Sequence, residues 1–266
     1  METKAFRRIV YAYYRRHRRP MPWRETRDPY RIVVSEVMLQ QTQVSRVREK
    51  YPPFIAAFPD VYSLAKAPLG DILRVWQGLG YNRRALYLKK LAQAVVGEYG
   101  GVFPRDRESL RGLPGIGPAT SASICAFAFG IPCPFIETNI RSVFIHHFFG
   151  DKDTVSDSRI LPLVAETLDF RNPRDWYYAL MDYGVFLKEK HGNPSRRSAG
   201  YKKQPPLEGS IRQARATMIR YLLDRRTCGV KELTRLFSGQ ARARLAFDSL
   251  VKDGLVSFKR GVASVR

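Results

Sequence analysis

The sequence is poor in cysteine, in long apolar runs and in acidic side chains. Its three cysteines, Cys125, Cys133 and Cys228, are too few and too scattered for a four-cysteine metal cluster or a disulfide-braced secreted domain. No stretch reaches the roughly 18 consecutive apolar residues of a membrane helix. The arginine-rich N-terminus also lacks the apolar core of a signal peptide. We therefore expect an intracellular protein with reduced thiols and no membrane partner.

The scarcity of acidic side chains leaves a large positive charge. Forty-six Lys and Arg residues stand against 24 Asp and Glu residues, which gives a net charge of +22. Residues 195–266 alone hold 17 basic and 5 acidic side chains, a net charge of +12. This imbalance favours a polyanionic partner whose counterions can be displaced, most simply nucleic acid. An apolar fraction of 44% excludes a disordered chain.

Helical periodicity dominates residues 4–192, and no convincing alternation with a period of two residues interrupts it. This pattern predicts a mainly α-helical first domain. The pair Asp28-Pro29 is typical of a helix start, and Thr42 is predicted to cap the next helix, which would end near Tyr51. Further helices are predicted near residues 70–77, 81–98, 107–112, 117–129, 138–149, 157–168 and 173–190.

The composition changes at residues 191–206 to Gly, Asn, Pro, Ser, Lys and Arg with almost nothing apolar, which is typical of a linker. Beyond it, apolar spacing predicts three helices, the last ending at Gly254, and then a β-hairpin with its turn at 259–261. This order is typical of a winged helix. The predicted domains are therefore 1–190 and 207–266, joined by the basic linker.

The sharpest local motif is Leu113-Pro114-Gly115-Ile116-Gly117, which lies between two predicted helices. Its glycines would let main-chain amides approach a phosphate that also faces the positive end of the following helix. A plain glycine-rich turn between helices would have the same composition. The motif alone leaves these two interpretations open.

Leu113 to Thr120 resembles the helix-hairpin-helix of the DNA glycosylase superfamily that includes endonuclease III and the MutY adenine glycosylases. The resemblance covers about Met21 to Lys190 and implies a two-lobed helical glycosylase domain, here followed by the small winged-helix domain. Thr26 to Tyr30 and Phe103 to Arg105 also resemble the archaeal thymine-mismatch glycosylases. Four segments resemble MutY signatures in the same order: Met21 to Arg24, Ser35 to Val44, Trp76 to Tyr81 and Met181 to Gly184.

The resemblance makes Glu36 and Glu137 the candidate catalytic residues. Glu36 lies in an apolar helix segment, where partial burial would raise its pKa and let it donate a proton to the departing base. Glu137 stands where the family has an aspartate that stabilises the cationic sugar, and Asn139 matches a MutY asparagine expected to orient that carboxylate. By themselves, Glu36 could be a solvated helix residue and Glu137 a helix N-terminal charge.

Two departures from the family pattern bear on the chemistry. Bifunctional relatives carry a Schiff-base lysine at the position of Ala119, so hydrolysis without strand cleavage is expected. Most relatives also have four cysteines after Gly184, spaced C-x6-C-x2-C-x5-C, that hold a 4Fe-4S cluster. This stretch has none, so we expect no cofactor and no metal. Basic side chains occupy it instead and are predicted to contact phosphates: Lys188, Lys190, Arg196, Arg197, Lys202 and Lys203.

Further DNA contacts are predicted from the resemblance and from the tail. Gln41 and Tyr81 match family positions that probe the gap left by a flipped nucleotide and the orphaned base, although the residue after Tyr81 is Asn82 where relatives commonly have a second tyrosine. The helix from about Gln240 to Asp253 would be the recognition helix. Contacts are also predicted at Gly115, Ile116 and Gly117 of the hairpin and at Lys259 and Arg260 of the wing tip.

Together these features predict a monomeric, monofunctional DNA glycosylase that acts on duplex DNA in the cytoplasm or nucleoid. Adenine in a mismatch is the favoured base because of the run from Glu36 to Val44. Thymine or uracil opposite guanine, or a modified base, is the enzymatic alternative. The tail is too short for the oxoguanine-reading domain usual in MutY proteins, so the base opposite adenine stays open. A DNA-binding scaffold without turnover is the non-enzymatic alternative.

Overall fold

A computed structural model describes residues 2–150, 154–237 and 239–266. The chain is mainly α-helical with a small antiparallel sheet near its C-terminus, which confirms the predicted fold class. Short 3₁₀ helices lie at Pro22–Arg24 and Pro194–Arg197. The α-helices of the first 200 residues are α1 Thr3–His17, α2 Pro29–Leu39, α3 Val44–Ala57, α4 Val61–Lys66, α5 Leu69–Trp76, α6 Arg83–Tyr99, α7 Arg107–Gly112, α8 Pro118–Phe129, α9 Thr138–Phe148, α10 Asp157–Glu166 and α11 Pro173–His191.

The C-terminal segment folds in the predicted order of three helices and a hairpin. Its elements are α12 Ile211–Arg225, β1 Thr227–Gly229, α13 Val230–Arg235, α14 Gln240–Lys252, β2 Val256–Lys259 and β3 Val262–Val265. Strand β3 pairs with β2 as predicted and also with β1, which the sequence did not predict because only three residues form it. The strand order is therefore β1-β3-β2.

The chain divides into two compact units that do not follow sequence order. The first has an aromatic core around α11, where Trp176 and Tyr177 are fully buried. The ring of Phe6 from α1 lies 5.8 Å from that of Trp176, and the ring of Phe135 lies 4.1 Å from that of Tyr177. This unit comprises Met1–Glu36, Pro104–Gly112 and Ile116–Lys203.

A buried ion pair in the first unit joins two motifs that lie far apart in the sequence. The guanidinium of Arg24 donates two hydrogen bonds to the carboxylate of Asp182, at 2.8 and 2.9 Å. Arg19 adds a third at 2.6 Å from its Nε. Burial alone would raise the pKa of Asp182, but these hydrogen bonds and charges hold it below its usual value. The motifs at Met21 to Arg24 and Met181 to Gly184 therefore brace each other.

The second unit contains the C-terminal segment together with α3 to α6. The side chain of Arg74 on α5 donates a hydrogen bond to the carbonyl oxygen of Leu223 on α12, at 3.0 Å. Arg83 on α6 pairs with Asp253 at 3.6 Å. Helix α12 thus contacts α5, and the residue that follows α14 contacts α6, within one unit. This unit comprises Val37–Phe103, Leu113–Gly115 and Gln204–Arg266.

Helix α3 differs from the sequence prediction at both ends. Its N-cap is Gln43 rather than Thr42, whose hydroxyl accepts a hydrogen bond from Arg84 at 2.9 Å. The helix also continues through Pro52 and Pro53 to Ala57. Interior prolines break helical hydrogen bonds, but the following turn buries Phe54 completely, against the rings of Phe58 and Trp76. Tertiary burial therefore outweighs the local helix-breaking signal.

Part of the predicted linker is anchored to the first unit. Pro194 and Ser195 are buried, and the Ser195 hydroxyl donates to the carbonyl oxygen of Thr138 at 2.8 Å. The main chain of Val155 also exchanges hydrogen bonds with Arg197 and Ala199, each at 2.9 Å. Residues 194–199 consequently contact the start of α9 and Val155, which precedes α10, whereas residues 201–208 are exposed.

Candidate active site

Glu36 and Ser123 form the first part of the candidate site. Glu36 is half-buried on α2 between fully buried neighbours, and its Oε2 lies 2.5 Å from the hydroxyl of Ser123 on α8. Burial raises the pKa of Glu36 to about 7, while the hydrogen bond from Ser123 opposes the rise and the charge of Glu137 adds to it. Glu36 can therefore hold a proton near neutral pH, as a general acid must.

Ser123 was missed by the sequence analysis, although one signal could have found it. Ala119, where the resemblance places the Schiff-base lysine of bifunctional relatives, has no polar side-chain group. Ser123 lies four residues later, so it occupies the same face of α8 one turn on. A hydroxyl group therefore lies one turn beyond the position that the resemblance marks.

Glu137 is the N-cap of α9. Its Oε1 accepts hydrogen bonds from the main-chain N–H groups of Asn139 and Ile140, at 2.7 and 2.9 Å. Its Oε2 accepts one from the side-chain amide of Asn139 at 3.2 Å. The capping role considered from the sequence is therefore present, and the same hydrogen bonds fix the direction of the carboxylate.

Burial and hydrogen bonding have opposite effects on the ionisation of Glu137. Burial raises the pKa of Glu137 above its usual value, while the two main-chain amides and the charges of Lys188 and Arg141 act in the opposite direction. Both glutamates and Asn139 belong to the first unit, and the charges of Glu36 and Glu137 interact. The structure thus brings together all three residues predicted to be catalytic.

Gln41 and Tyr81 belong to the second unit and share an unusual backbone. Both have left-handed backbone dihedrals, with φ of +54° and +48°, and both side chains are exposed. Non-glycine residues in this region carry strain that the surrounding structure must hold. The hydroxyl of Tyr81 also contacts Gln204, and it accepts a hydrogen bond from Arg212 at 3.1 Å. The C-terminal segment therefore contacts one of the two predicted probe residues.

Arg84, which the sequence analysis missed, holds the backbone beside both strained residues. Its buried guanidinium donates to the carbonyl oxygens of Gln40 at 2.7 Å and Gly80 at 3.2 Å, directly before Gln41 and Tyr81. Burial lowers the pKa of Arg84 to about 10. Arg84 thereby ties the Ser35 to Val44 motif to the Trp76 to Tyr81 motif. Its other acceptors are the carbonyl oxygens of Val37, Met38 and Leu79 and the hydroxyl of Thr42.

The hairpin motif has the backbone that its glycines permit. Gly115 adopts φ of +81°, and a Cβ atom there would come within 2.9 Å of Tyr87. Gly117 is the N-cap of α8, and Pro118 occupies the first helical position. The side chain of Ile116 is buried, so only its main chain is available for the predicted DNA contact.

The predicted basic contacts fall into two groups. The exposed group consists of Lys190, Arg196, Lys202, Lys203, Lys259 and Arg260. Arg197 and Lys188 instead bind the protein: Arg197 donates to the carbonyl oxygens of Phe149 and Gly150, and Lys188 donates to the side-chain oxygen of Asn139 at 2.8 Å. The basic segment therefore contains structural cations as well as solvent-facing ones.

The residues after Gly184 do not fit an iron-sulfur cluster, because 185–206 contain no cysteine that could supply a thiolate. Cys125, Cys133 and Cys228 are free thiols. In the part of the chain that the structure describes, no group of three His, Cys, Asp or Glu side chains is placed to hold a metal ion. No helix among the described residues has both the length and the apolar character needed to cross a membrane.

Several known proteins are similar to this chain. Residues 34–161 match the HhH-GPD superfamily of base excision DNA repair proteins. The adenine DNA glycosylase of Mycolicibacterium smegmatis is 33% identical over 265 aligned residues, which cover 92% of this chain and 90% of that protein. The thymine/uracil-DNA glycosylase of Methanothermobacter thermautotrophicus is 32% identical over 189 residues, 70% of this chain and 86% of that protein.

A solved structure agrees with these sequence matches. The structure of a thermostable thymine-DNA glycosylase superposes with a TM-score of 0.67 and 28% identity, over 73% of this chain and 91% of that one. The 92% coverage by the Mycolicibacterium protein extends past the predicted linker, so the C-terminal segment has a counterpart there. This chain belongs to the HhH-GPD superfamily of base excision DNA repair proteins.

Proposed function

We propose that this protein is a monofunctional DNA N-glycosylase that hydrolyses the N-glycosidic bond of a flipped-out base in duplex DNA, and that adenine in a mismatch is the base. The observation that carries the proposal is the pair of interacting carboxyl groups, in which Glu36 can hold a proton and Glu137 is fixed by three hydrogen bonds. The similarity to adenine DNA glycosylases supports adenine as the base.

In the proposed reaction, Glu36 donates its proton to the departing base. A neutral leaving group lowers the barrier to breaking the bond between base and sugar, and general acids contribute about 10² to 10⁴ in rate. A pKa of about 7 makes the proton available at neutral pH and lets the group give it up as the bond breaks. Water then adds to the cationic sugar and loses a proton, which leaves an intact abasic site, and Glu36 regains a proton from this water or from solvent.

Glu137 has the complementary role of stabilising positive charge that develops on the sugar. An oxocarbenium-like transition state requires a carboxylate that is already aimed when the charge appears. The hydrogen bonds from Asn139 and Ile140 fix the orientation of the Glu137 carboxylate. The glutamate is one methylene longer than the family aspartate, and the capping geometry draws its carboxylate back towards the start of α9.

The absence of an amine at Ala119 supports hydrolysis without strand cleavage. We also propose that the enzyme works without an iron-sulfur cluster, as a monomer, and that exposed Lys and Arg side chains bind the phosphates. Purified protein should then be colourless, and stoichiometric iron on elemental analysis would contradict this part of the proposal.

A panel of duplexes tests the proposal. The protein is incubated with DNA carrying A:8-oxoguanine, A:G, T:G, U:G, hypoxanthine or an alkylated base, and abasic sites are then cleaved with alkali. We expect alkali-dependent cleavage at adenine, and none with Glu36→Gln protein or with undamaged duplex. Cleavage only at T:G or U:G would establish the second candidate, which the similarity to thymine/uracil-DNA glycosylase favours. Binding without base release from any duplex would indicate a scaffold.

A further inference from the structure

Lys188 lies against the candidate active site from a helix that carries none of the residues predicted to be catalytic. Its half-buried ammonium donates a hydrogen bond to Oδ1 of Asn139 at 2.8 Å. The other end of the same amide, Nδ2 of Asn139, donates to Oε2 of Glu137 at 3.2 Å. A continuous chain of hydrogen bonds thus runs from Lys188 on α11 to the carboxylate at the start of α9.

A glycine brings the two helices close enough for this contact. A Cβ atom on Gly184 would lie 2.5 Å from the main-chain oxygen of Asn139 and 2.8 Å from its Cβ, which no side chain could tolerate. Helix α11 therefore touches the first turn of α9 at Gly184. Lys188 lies four residues later, on the same face of α11, and so reaches the amide of Asn139.

The ammonium group selects one of the two orientations of the Asn139 amide. An ammonium can only donate hydrogen bonds, so the amide oxygen must face Lys188. The amide N–H₂ group then faces Glu137, whose carboxylate can only accept. Without Lys188, the amide would lose the hydrogen bond to its oxygen, and the side chain would be held only by the hydrogen bond from its N–H₂ group to Glu137.

The charge of Lys188 also acts on Glu137. It lowers the pKa of Glu137 against the effect of burial, and Arg141 on α9 acts in the same direction. Glu36, from α2, interacts with Glu137 and adds a negative charge beside it when ionised. Burial lowers the pKa of Lys188 itself. Loss of the ammonium would therefore leave Glu137 harder to ionise.

We propose that Lys188 is a positioning residue, which holds the Asn139 amide and through it the Glu137 carboxylate in the orientation that base excision requires. This inference rests on the proposed function. It assigns Lys188 to the active site rather than to the phosphate contacts predicted from the basic composition of its segment.

The test compares Lys188→Met, Lys188→Arg, Asn139→Ala and the Lys188→Met/Asn139→Ala double variant. Single-turnover base release is measured at saturating enzyme between pH 5 and 9, on the duplex that the wild-type protein processes best. We expect Lys188→Met to slow release about 10- to 100-fold and to move the acidic limb to higher pH, because the pKa of Glu137 rises. Lys188→Arg should recover most of the rate, since a guanidinium also donates.

The double variant separates positioning from other roles. On the plateau of the pH profile, where ionisation of Glu137 does not limit the rate, adding Lys188→Met to Asn139→Ala should change the rate by less than about twofold if Lys188 acts through Asn139. Lys4→Met removes the same charge from an exposed position on α1 and should leave the rate and both pH limbs unchanged.

Two results would overturn the proposal. One is a Lys188→Met protein with the wild-type rate and acidic limb, and the other is full additivity in the double variant. Thermal unfolding accompanies each measurement, and if Lys188→Met does not fold, Lys188→Gln and Lys188→Arg are compared in its place. A wild-type protein that releases no base would refute the proposed function instead, so the two failures are distinct.

Discussion

The hydroxyl oxygen of Ser123 lies 2.5 Å from Oε2 of Glu36 and also 2.9 Å from the main-chain oxygen of Thr120. A hydroxyl has one hydrogen to donate, so the serine cannot donate to both acceptors at once. When Glu36 is ionised, Ser123 donates to it. When Glu36 is protonated, its O–H can donate to Ser123 while the serine donates to Thr120. Ser123 therefore accommodates both states of a proton-donating Glu36.

The first prediction concerns the pH dependence of base release. Because Glu36 must be protonated and has a pKa of about 7, the single-turnover rate should fall about tenfold per pH unit above pH 7. Ser123→Ala removes a hydrogen bond that lowers this pKa, so the basic limb should move to higher pH. Ser121→Ala is the matched control, because Ser121 donates to Pro118 on the same helix. If Ser123→Ala did not move the basic limb, the hydrogen bond from Ser123 would not affect the pKa of Glu36.

The second prediction concerns Glu36→Gln, which should abolish base release and leave binding to lesion duplex within a few fold. The same change should stabilise the protein above neutral pH. The folded-state pKa of about 7 exceeds the ordinary value of 4.5, so the stability contributed by neutral Glu36 is complete below pH 4.5 and is lost as pH rises through 7. The difference reaches about 3 kcal/mol.

Urea unfolding at pH 5 and pH 8 measures this gain. Glu36→Gln should exceed the wild-type protein in stability at pH 8 and approach it at pH 5. Glu108→Gln, at an exposed position on α7, should show no such pH dependence. An equal effect at both pH values would mean that Glu36 does not hold a proton in the folded protein.

The third prediction concerns Arg84, whose replacement should destabilise the second unit. Arg84→Lys keeps the charge but cannot reach six acceptors, so several buried carbonyl groups lose a hydrogen bond. The free energy of unfolding should fall by about 3 kcal/mol. Arg83→Lys, at the adjacent exposed position, should change it by less than about 0.5 kcal/mol. Equal losses for the two variants, measured by urea unfolding, would contradict the bracing role of Arg84.

The sequence could predict those features that local signals determine. Asp28 caps α2 as expected, and its carboxylate accepts a hydrogen bond from the N–H of Tyr30 at 2.9 Å. The turn of the wing joins β2 to β3 at the predicted residues 259–261. Glu36 and Glu137 are predicted to be catalytic because the family resemblance marks them, and that role stays a prediction. The passage of α3 through Pro52 could not be predicted, since burial of distant aromatic rings decides it.

The partners of the residues predicted to be catalytic could not be predicted from sequence patterns for the same reason. Ser123 lies 87 residues from Glu36 in the sequence, and Lys188 lies 49 residues from Asn139. Helical periodicity places Ser123 on one face of α8 but does not say which element that face meets. Charge composition likewise counts Lys188 among the basic residues of its segment and does not indicate that it turns towards Asn139.

The fourth prediction is that the wild-type protein forms no covalent adduct with DNA in the presence of sodium borohydride. Schiff-base trapping requires an amine beside the sugar, and alanine supplies none. Ala119→Lys places an amine at this exposed position on α8 and serves as the positive comparison, in which we expect a trapped band on a denaturing gel. A trapped adduct of the wild-type protein would identify a different nucleophilic amine.

The last prediction concerns the wing tip, where Lys259 and Arg260 are exposed at the turn between β2 and β3. If both bind phosphates, the Lys259→Ala/Arg260→Asn variant should weaken binding to lesion and undamaged duplex alike. The slope of log K against log salt should flatten by about 0.9 for each phosphate that the variant no longer neutralises. Asparagine is chosen because Arg260 has φ of +48°, which asparagine tolerates better than alanine.

Fluorescence anisotropy between 50 and 200 mM salt measures both duplexes, and Lys231→Ala, at an exposed position on α13, is the single-charge control. Base release at saturating enzyme should stay unchanged in the wing variant, because Glu36 and Glu137 lie in the other compact unit. The C-terminal segment nevertheless contacts Tyr81 through Gln204 and Arg212. A wing variant that loses affinity only for lesion duplex would therefore assign lesion recognition, rather than general phosphate binding, to the C-terminal segment.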